Sequence, residues 1–154
     1  MNVQIVTFPE TRVAFVSHKG SPAQEYDTLR KLIAWKIEHK LFDQSRYRMV
    51  GLHYADPGTV APQDYRVDFC LSFEGPVVPN DFGVGTMVIA SMKCALARDV
   101  GSRKNNQAVR YLYEEWLPRS GETMASRPIL FHYVNVGPGV REQEAITDVY
   151  LPLL

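Results

Sequence analysis

The alternation of apolar and polar positions divides the chain into short strands and two helices. Residues 13–17 form a β-rich run, and Ser21-Pro22 is a helix start, with Ser as N-cap and Pro in the first position. Tyr26, Leu29, Leu32, Ile33 and Ile37 follow at three- and four-residue intervals and predict one face of an amphipathic helix. Residues 49–54 read as a strand and Asp56-Pro57-Gly58 as a turn. Residues 65–73 read as the next strand, with Val67, Phe69 and Leu71 alternating. Further on the same order returns. A strand is predicted over 86–98, then a helix whose face carries Ala108, Val109, Leu112, Tyr113 and Trp116 and which Pro118 and Gly121 stop. Strands over 129–135 and 145–151 complete it.

The second half also repeats particular residues of the first. Gly20-Ser21 stands before Trp35 as Gly101-Ser102 stands before Trp116, 81 positions on (20 to 101). Leu52-His53-Tyr54 returns as Phe131-His132-Tyr133, 79 on (53 to 132). The run Val67-Asp68-Phe69-Cys70-Leu71 returns as Thr147-Asp148-Val149-Tyr150-Leu151, 80 on (68 to 148), and Val13-Ala14-Phe15-Val16 as Cys94-Ala95-Leu96-Ala97, 81 on (13 to 94). Four matches in one order signal an internal duplication. One copy of about 80 residues could scarcely cover its own sheet face, so both are expected to share a core. The expected fold is α+β: two βαββ halves forming an antiparallel sheet packed by two helices. Repeat 1 covers about 1–75, the join about 76–85, and repeat 2 about 86–154. All of 1–154 is expected to be one domain, with a pseudo-twofold axis and a cleft where the halves meet.

Composition narrows the function. The chain has 154 residues, enough for a real core, and 45% of them are hydrophobic. Lys plus Arg and Asp plus Glu are 17 each, so the electrostatic footprint of direct nucleic-acid binding is lacking. Two cysteines, Cys70 and Cys94, build no disulfide framework and, in apolar strand context, read as buried small hydrophobes. No Asn-x-Ser/Thr sequon and no basic segment before an apolar stretch occur, which points to the cytoplasm. No apolar run approaches the roughly 18 residues of a membrane helix. There is no Gly-x-Ser-x-Gly elbow, no phosphate-cradling loop and no metal-ligand spacing, so neither cofactor nor metal is expected.

Several segments carry a resemblance to a known family: Val13-Ala14 through His18-Lys19-Gly20-Ser21-Pro22, and Gly51-Leu52-His53-Tyr54-Ala55-Asp56-Pro57. Asp68 with its strand, Glu115-Trp116-Leu117-Pro118-Arg119-Ser120-Gly121-Glu122, and the segment from Pro128 to Asn135 extend it over essentially the whole chain. Their order and spacing resemble the GyrI-like family, which includes the bacterial gyrase inhibitor and the effector-binding domains of multidrug-sensing transcription regulators. The resemblance implies a duplicated βαββ fold whose cleft binds hydrophobic, often aromatic or cationic small molecules. Some relatives hydrolyse reactive cyclopropane-bearing toxins there. Regulators of the family carry a DNA-binding helical domain ahead of this one. Here the chain starts at the first strand, so a stand-alone binding protein is expected. One departure bears on ligand and activity. The family pattern Pro-x-Phe-Glu-x-Tyr reads here Pro128-Ile129-Leu130-Phe131-His132-Tyr133, with Phe131 in place of the cleft Glu. A Phe supplies neither the charge that selects cations nor a group for acid–base work, and it favours a neutral aromatic ligand.

The candidate ligand-binding residues are Trp35, Leu52, Tyr54, Tyr113, Trp116, Phe131 and Tyr133. Phe131 and Tyr133, two apart on a strand, face one side, and Leu52 and Tyr54 are expected beside them on the cleft floor. Trp35 and Trp116, at matching points of the two helices, would wall it, with Tyr113 three positions before Trp116. The competing reading for all seven is ordinary core packing. His18, His53 and His132 read as structural, and Asp68 and Asp148 as strand-edge hydrogen-bonding or exposed charges. No catalytic residue is assigned. The partner is a hydrophobic small molecule. DNA gyrase or a separate regulator is a further partner by analogy, and a toxin hydrolase is the enzymatic alternative.

Overall fold

The computed structural model describes residues 1–55 and 59–154; the turn expected at Asp56-Pro57-Gly58 lies outside the described residues. Eight strands form one antiparallel sheet. They are β1 (Gln4–Phe8), β2 (Thr11–Lys19), β3 (Met49–His53), β4 (Arg66–Ser72), β5 (Gly85–Ile89), β6 (Met92–Val100), β7 (Ile129–Tyr133) and β8 (Ile146–Pro152). Their spatial order is β1-β6-β8-β7-β3-β4-β2-β5. The fold class read from the sequence, an α+β antiparallel sheet with two helical segments, is the one observed.

The connections force the sheet to curl. β1 and β2 stand six strand positions apart, yet only Pro9 and Glu10 join them. Six spacings of a flat sheet cover about 29 Å, whereas three Cα steps reach about 11 Å at most. Ala90 and Ser91 impose the same condition between β5 and β6. The sheet therefore bends until its ends approach, and the face inside the bend closes on Val13, Val50, Leu52, Cys70, Cys94 and Leu130, each 6% exposed or less.

The sequence reading did not anticipate this exchange. It contained no β1 and took 86–98 as one strand. That run breaks at Ala90-Ser91 because β5 pairs with β2 of the first half, while β6 pairs with β1 and β8. No glycine or proline marks the break, so the apolar pattern runs through it.

Helices cover the outer face. Ser21 caps a short 3-10 turn (Pro22–Gln24), its Oγ accepting from the Ala23 amide at 3.3 Å, and α1 (Glu25–Glu38) follows. Leu32 and Trp35, at most 1% exposed, pack on Val67, Phe69 and Leu71. In the second half α2 (Gln107–Tyr111) passes into a π-helical turn (Leu112–Trp116) and then α3 (Leu117–Ser120). Pro118 was expected to stop this helix, but the helix runs on to Ser120 and ends at Gly121, whose φ is 76°. Pro118 has no amide to give residue 114, and its ring crowds that carbonyl. The turn before it widens, and the Leu117 amide bonds back five residues to the Leu112 carbonyl. Ala108 and Leu112 anchor this helix on Ala95, Ala97, Val149 and Leu151.

β3 and β7 pair at the centre, with Gly51 opposite Phe131 and Leu52 opposite Leu130. Leu52 also lies opposite Asp68, and His132 opposite Asp148. The structural repeat at this strand is thus 80, the Asp68-to-Asp148 interval, and not the 79 of the matching tripeptides. His53 corresponds to Tyr133 and Leu52 to His132. A one-residue slip turns every side chain to the other face, and it removes Leu52 from the expected cleft floor.

Leu52→Ala is accordingly expected to cost about 2–5 kcal/mol of unfolding free energy in urea at unchanged m-value, as for a core truncation. A change below about 0.5 kcal/mol, usual for exposed positions, would contradict this placement.

Candidate functional site

On the outer face, between α1 and the loops of the second half, lies a cleft of about 950 Å³. That is near the upper end of the range for small-molecule sites. Its floor is made by β3, β4 and β7, which present Met49, His53, Phe69, Phe131 and Tyr133. One wall is α1, through Glu25, Tyr26, Leu29, Ile33 and Lys36. These positions recur at helical spacing, so much of the apolar stripe read as a core face borders the cleft instead. Tyr26 is accordingly 56% exposed. The opposite wall comes from the loop after β6, including Ser102, Arg103 and Asn106, and from the loop after β7, including Val136 and Val140.

The floor is fixed by ring contacts. His53 Nε2 lies 3.1 Å from Tyr133 Oη, and its imidazole meets Phe131 nearly edge-on, with centroids 4.4 Å apart. Burial pulls the His53 pKa down to about 4, so the ring is neutral at pH 7. Tyr133 is pushed the other way, first by burial and then by the nearby Glu25 carboxylate, against Arg103, which lowers it. The Arg103 guanidinium sits 5.3 Å from the centre of the Tyr133 ring, a cation–π contact. It is held there by donating to Thr147 Oγ1 at 3.0 Å and to the Asn135 and Ile146 carbonyls at 2.9 Å each. Glu25 accepts from the Tyr65 phenol at 2.7 Å. Gly51 lies beneath Tyr133: a Cβ there would come within 2.6 Å of Tyr133 Oη.

Of the seven candidates, the structure brings Phe131 and Tyr133 together on this floor. Trp35 is 1% exposed, stacked near His39 and edge-on to Phe73 beneath α1. Leu52 is in the core inside the bend. Tyr54 is 42% exposed, donates to Asp68 Oδ2 at 2.8 Å and lies under the Arg66 guanidinium. Burial and the Asp68 carboxylate raise its pKa to about 12. Trp116 packs partly buried against the second-half core, and Tyr113 is 39% exposed on the π turn outside the cleft lining. Asp68 and Asp148, read as edge or exposed groups, are 0% and 8% exposed, each bonded to an arginine. His53, Glu25, Arg103, Met49 and Phe69 were missed. The tripeptide match had turned His53 away, Phe69 stood in a repeated strand run that nothing set apart from the core, and Glu25, Met49 and Arg103 carried no motif. Cys70 and Cys94 are buried, with thiol pKa values raised by burial. Among the described residues no cluster of three metal-ligating side chains occurs, and no helix is long and apolar enough to cross a membrane.

Comparison with known proteins gives a consistent picture. Residues 1–154 match the family described as the GyrI-like small molecule binding domain. The chain is 38% identical over 154 residues to the probable transcriptional regulator YgiV of Escherichia coli (strain K12), covering 99% of this chain and 96% of that protein. It is 25% identical over 165 residues to a DNA gyrase inhibitor of Erwinia billingiae (strain Eb661), covering 99% and 97%. In fold it is similar to the crystallised C-terminal domain of EcmrR, with TM-score 0.70 at 14% identity over 99% of this chain and 97% of that one. It spans 57% of the EcmrR chain solved with DNA, with TM-score 0.74 at 13% identity.

The neutral His53 makes a pH prediction. The unfolded chain takes up a proton near pH 6.5 that the folded protein refuses until about pH 4. Its contribution is full above pH 6.5 and is lost as pH falls towards 4, about 3 kcal/mol in all. NMR titration of the His53 ring should show a midpoint near 4, and His53→Gln should flatten urea-measured stability across this window. A midpoint near 6.5 would refute the assignment.

Proposed function

Because the chain belongs to the GyrI-like small-molecule-binding domain family, we propose that it holds a hydrophobic, aromatic small molecule over Phe131 and Tyr133. Holding it would sequester the molecule or report it to a separate protein. The observation that carries this reading is the cleft itself, about 950 Å³ with an aromatic floor clamped by His53 and Arg103. A floor already held in place spends little binding energy on ordering itself. Planar rings gain both buried area and edge or face contacts on such a surface. The role is binding rather than turnover. At neutral pH His53 is an unprotonated, weakly basic imidazole and Tyr133 a protonated phenol, and Glu25 is engaged by Tyr65. Neither ring is poised near pH 7 as a general acid or base is.

A thermal-shift panel of planar aromatics tests this. A compound at 100 times its dissociation constant adds about 2.7 kcal/mol, which raises Tm by roughly 5–10 °C in a domain of this size. Phe131→Ala should weaken binding about tenfold, the cost of one lost aromatic contact of about 1.4 kcal/mol. Absence of any shift across neutral, anionic and cationic rings would overturn the reading.

A further inference from the structure

The charges bordering the cleft do not balance. Among the described residues lining it, Lys36, Arg103, Lys104 and Arg141 are cations, whereas Glu25 and Glu142 are the carboxylates. Most of these groups are already engaged. Arg141 pairs with Glu144, Glu142 accepts from Ser102, and Glu25 accepts from Tyr65. Arg103 is spent on backbone carbonyls and Thr147. Lys104 is exposed. Lys36 and Arg103 are both partly buried and paired with none of the described carboxylates, but Arg103 is taken up by neutral acceptors, whereas the Lys36 ammonium bonds to none of the described residues. Burial alone draws its pKa down from the ordinary value, as it does for an ammonium losing water without gaining a counter-charge.

Its position is also informative. Lys36 follows Ile33 by one turn on the wall that begins at Glu25. Eleven helical steps lead from Glu25 to Lys36, about 16 Å along the axis. The acidic end of the cleft therefore lies beside Tyr133 and Arg103, and an unmatched cation stands at the other end, with Leu29 and Ile33 between.

Resting on the reading above, we infer that the ligand is an amphipathic organic anion. Its apolar, aromatic body lies on Phe131, Met49 and Phe69, and its single acidic group pairs with Lys36. A neutral ligand would leave the half-desolvated ammonium without a partner, and a cationic one would add like charge to it. A carboxylate gives a charge-assisted bond in a partly dry site, where such bonds are stronger than neutral ones. Lys36 is thus the residue that selects charge, while the aromatic floor supplies most of the buried area.

The test uses three probes with one ring system: naphthalene-2-carboxylate, naphthalene-2-methanol and a naphthalen-2-yl trimethylammonium salt, titrated calorimetrically into the full chain at pH 7 and low salt. The carboxylate is expected to bind at least tenfold more tightly than the alcohol, and the ammonium most weakly. In Lys36→Met the carboxylate-to-alcohol ratio should fall to about one, and Lys36→Arg, which keeps the charge, should restore it. The proposal is overturned if the alcohol or the ammonium binds best to the wild type, the small-molecule reading then standing. It is also overturned if the ratio survives in Lys36→Met. If none of the three binds, the small-molecule reading itself fails and the inference falls with it.

Discussion

The register between β3 and β7 governs the rest of the molecule. These two strands are the seam across which the halves become a single sheet, and their pairing sets Gly51 opposite Phe131. With that register, Met49, His53, Phe131 and Tyr133 all face the helices, and Val50, Leu52 and Leu130 all face into the bend. Gly51 is needed at the seam because the Tyr133 hydroxyl occupies the space a side chain would take. Remove that vacancy and Tyr133 must move, taking with it the contact to His53 and the support for Phe131. One missing methyl thus underlies the floor on which the proposed ligand rests.

Much of this architecture is legible in the sequence, because it depends on periodicity. The duplication shows in Gly20-Ser21 and Gly101-Ser102, and the helices show in their apolar spacing. The site is less legible, for two physical reasons. Equivalence across the seam is decided by strand register, which a tripeptide match cannot measure. Leu52-His53-Tyr54 resembles Phe131-His132-Tyr133 in letters, yet in space His53 answers to Tyr133. The second reason is that an amphipathic stripe does not say what it faces. Tyr26, Leu29 and Ile33 have the spacing of a core surface but border the cleft, while Trp35, which looked like a cleft wall, is the buried residue.

The two helices illustrate how repeats diverge without losing the frame. The first is a regular fourteen-residue helix. Its counterpart must absorb Pro118 and does so by a π turn, and its Trp116 is only partly buried where Trp35 is wholly so. The walls of the cleft are unlike as well, α1 forming one and the loops after β6 and β7 the other, although the sheet beneath retains its twofold pattern. A pseudo-symmetric scaffold with an asymmetric cleft suits a ligand with two chemically different ends.

The exchanged arms carry a consequence for biosynthesis. β1 is made before its partner β6, which lies more than eighty residues later, Phe8 being opposite Met92. At roughly 5–20 residues per second, β1 waits about 4–17 seconds after synthesis before β6 exists at all. Until then Val6 and Phe8, which later pack into the core inside the bend, lack the cover of Met92, Cys94 and Leu130. A strand made early is thus seated late, and the nascent chain most needs a chaperone's shelter over the segment whose partner is still to come.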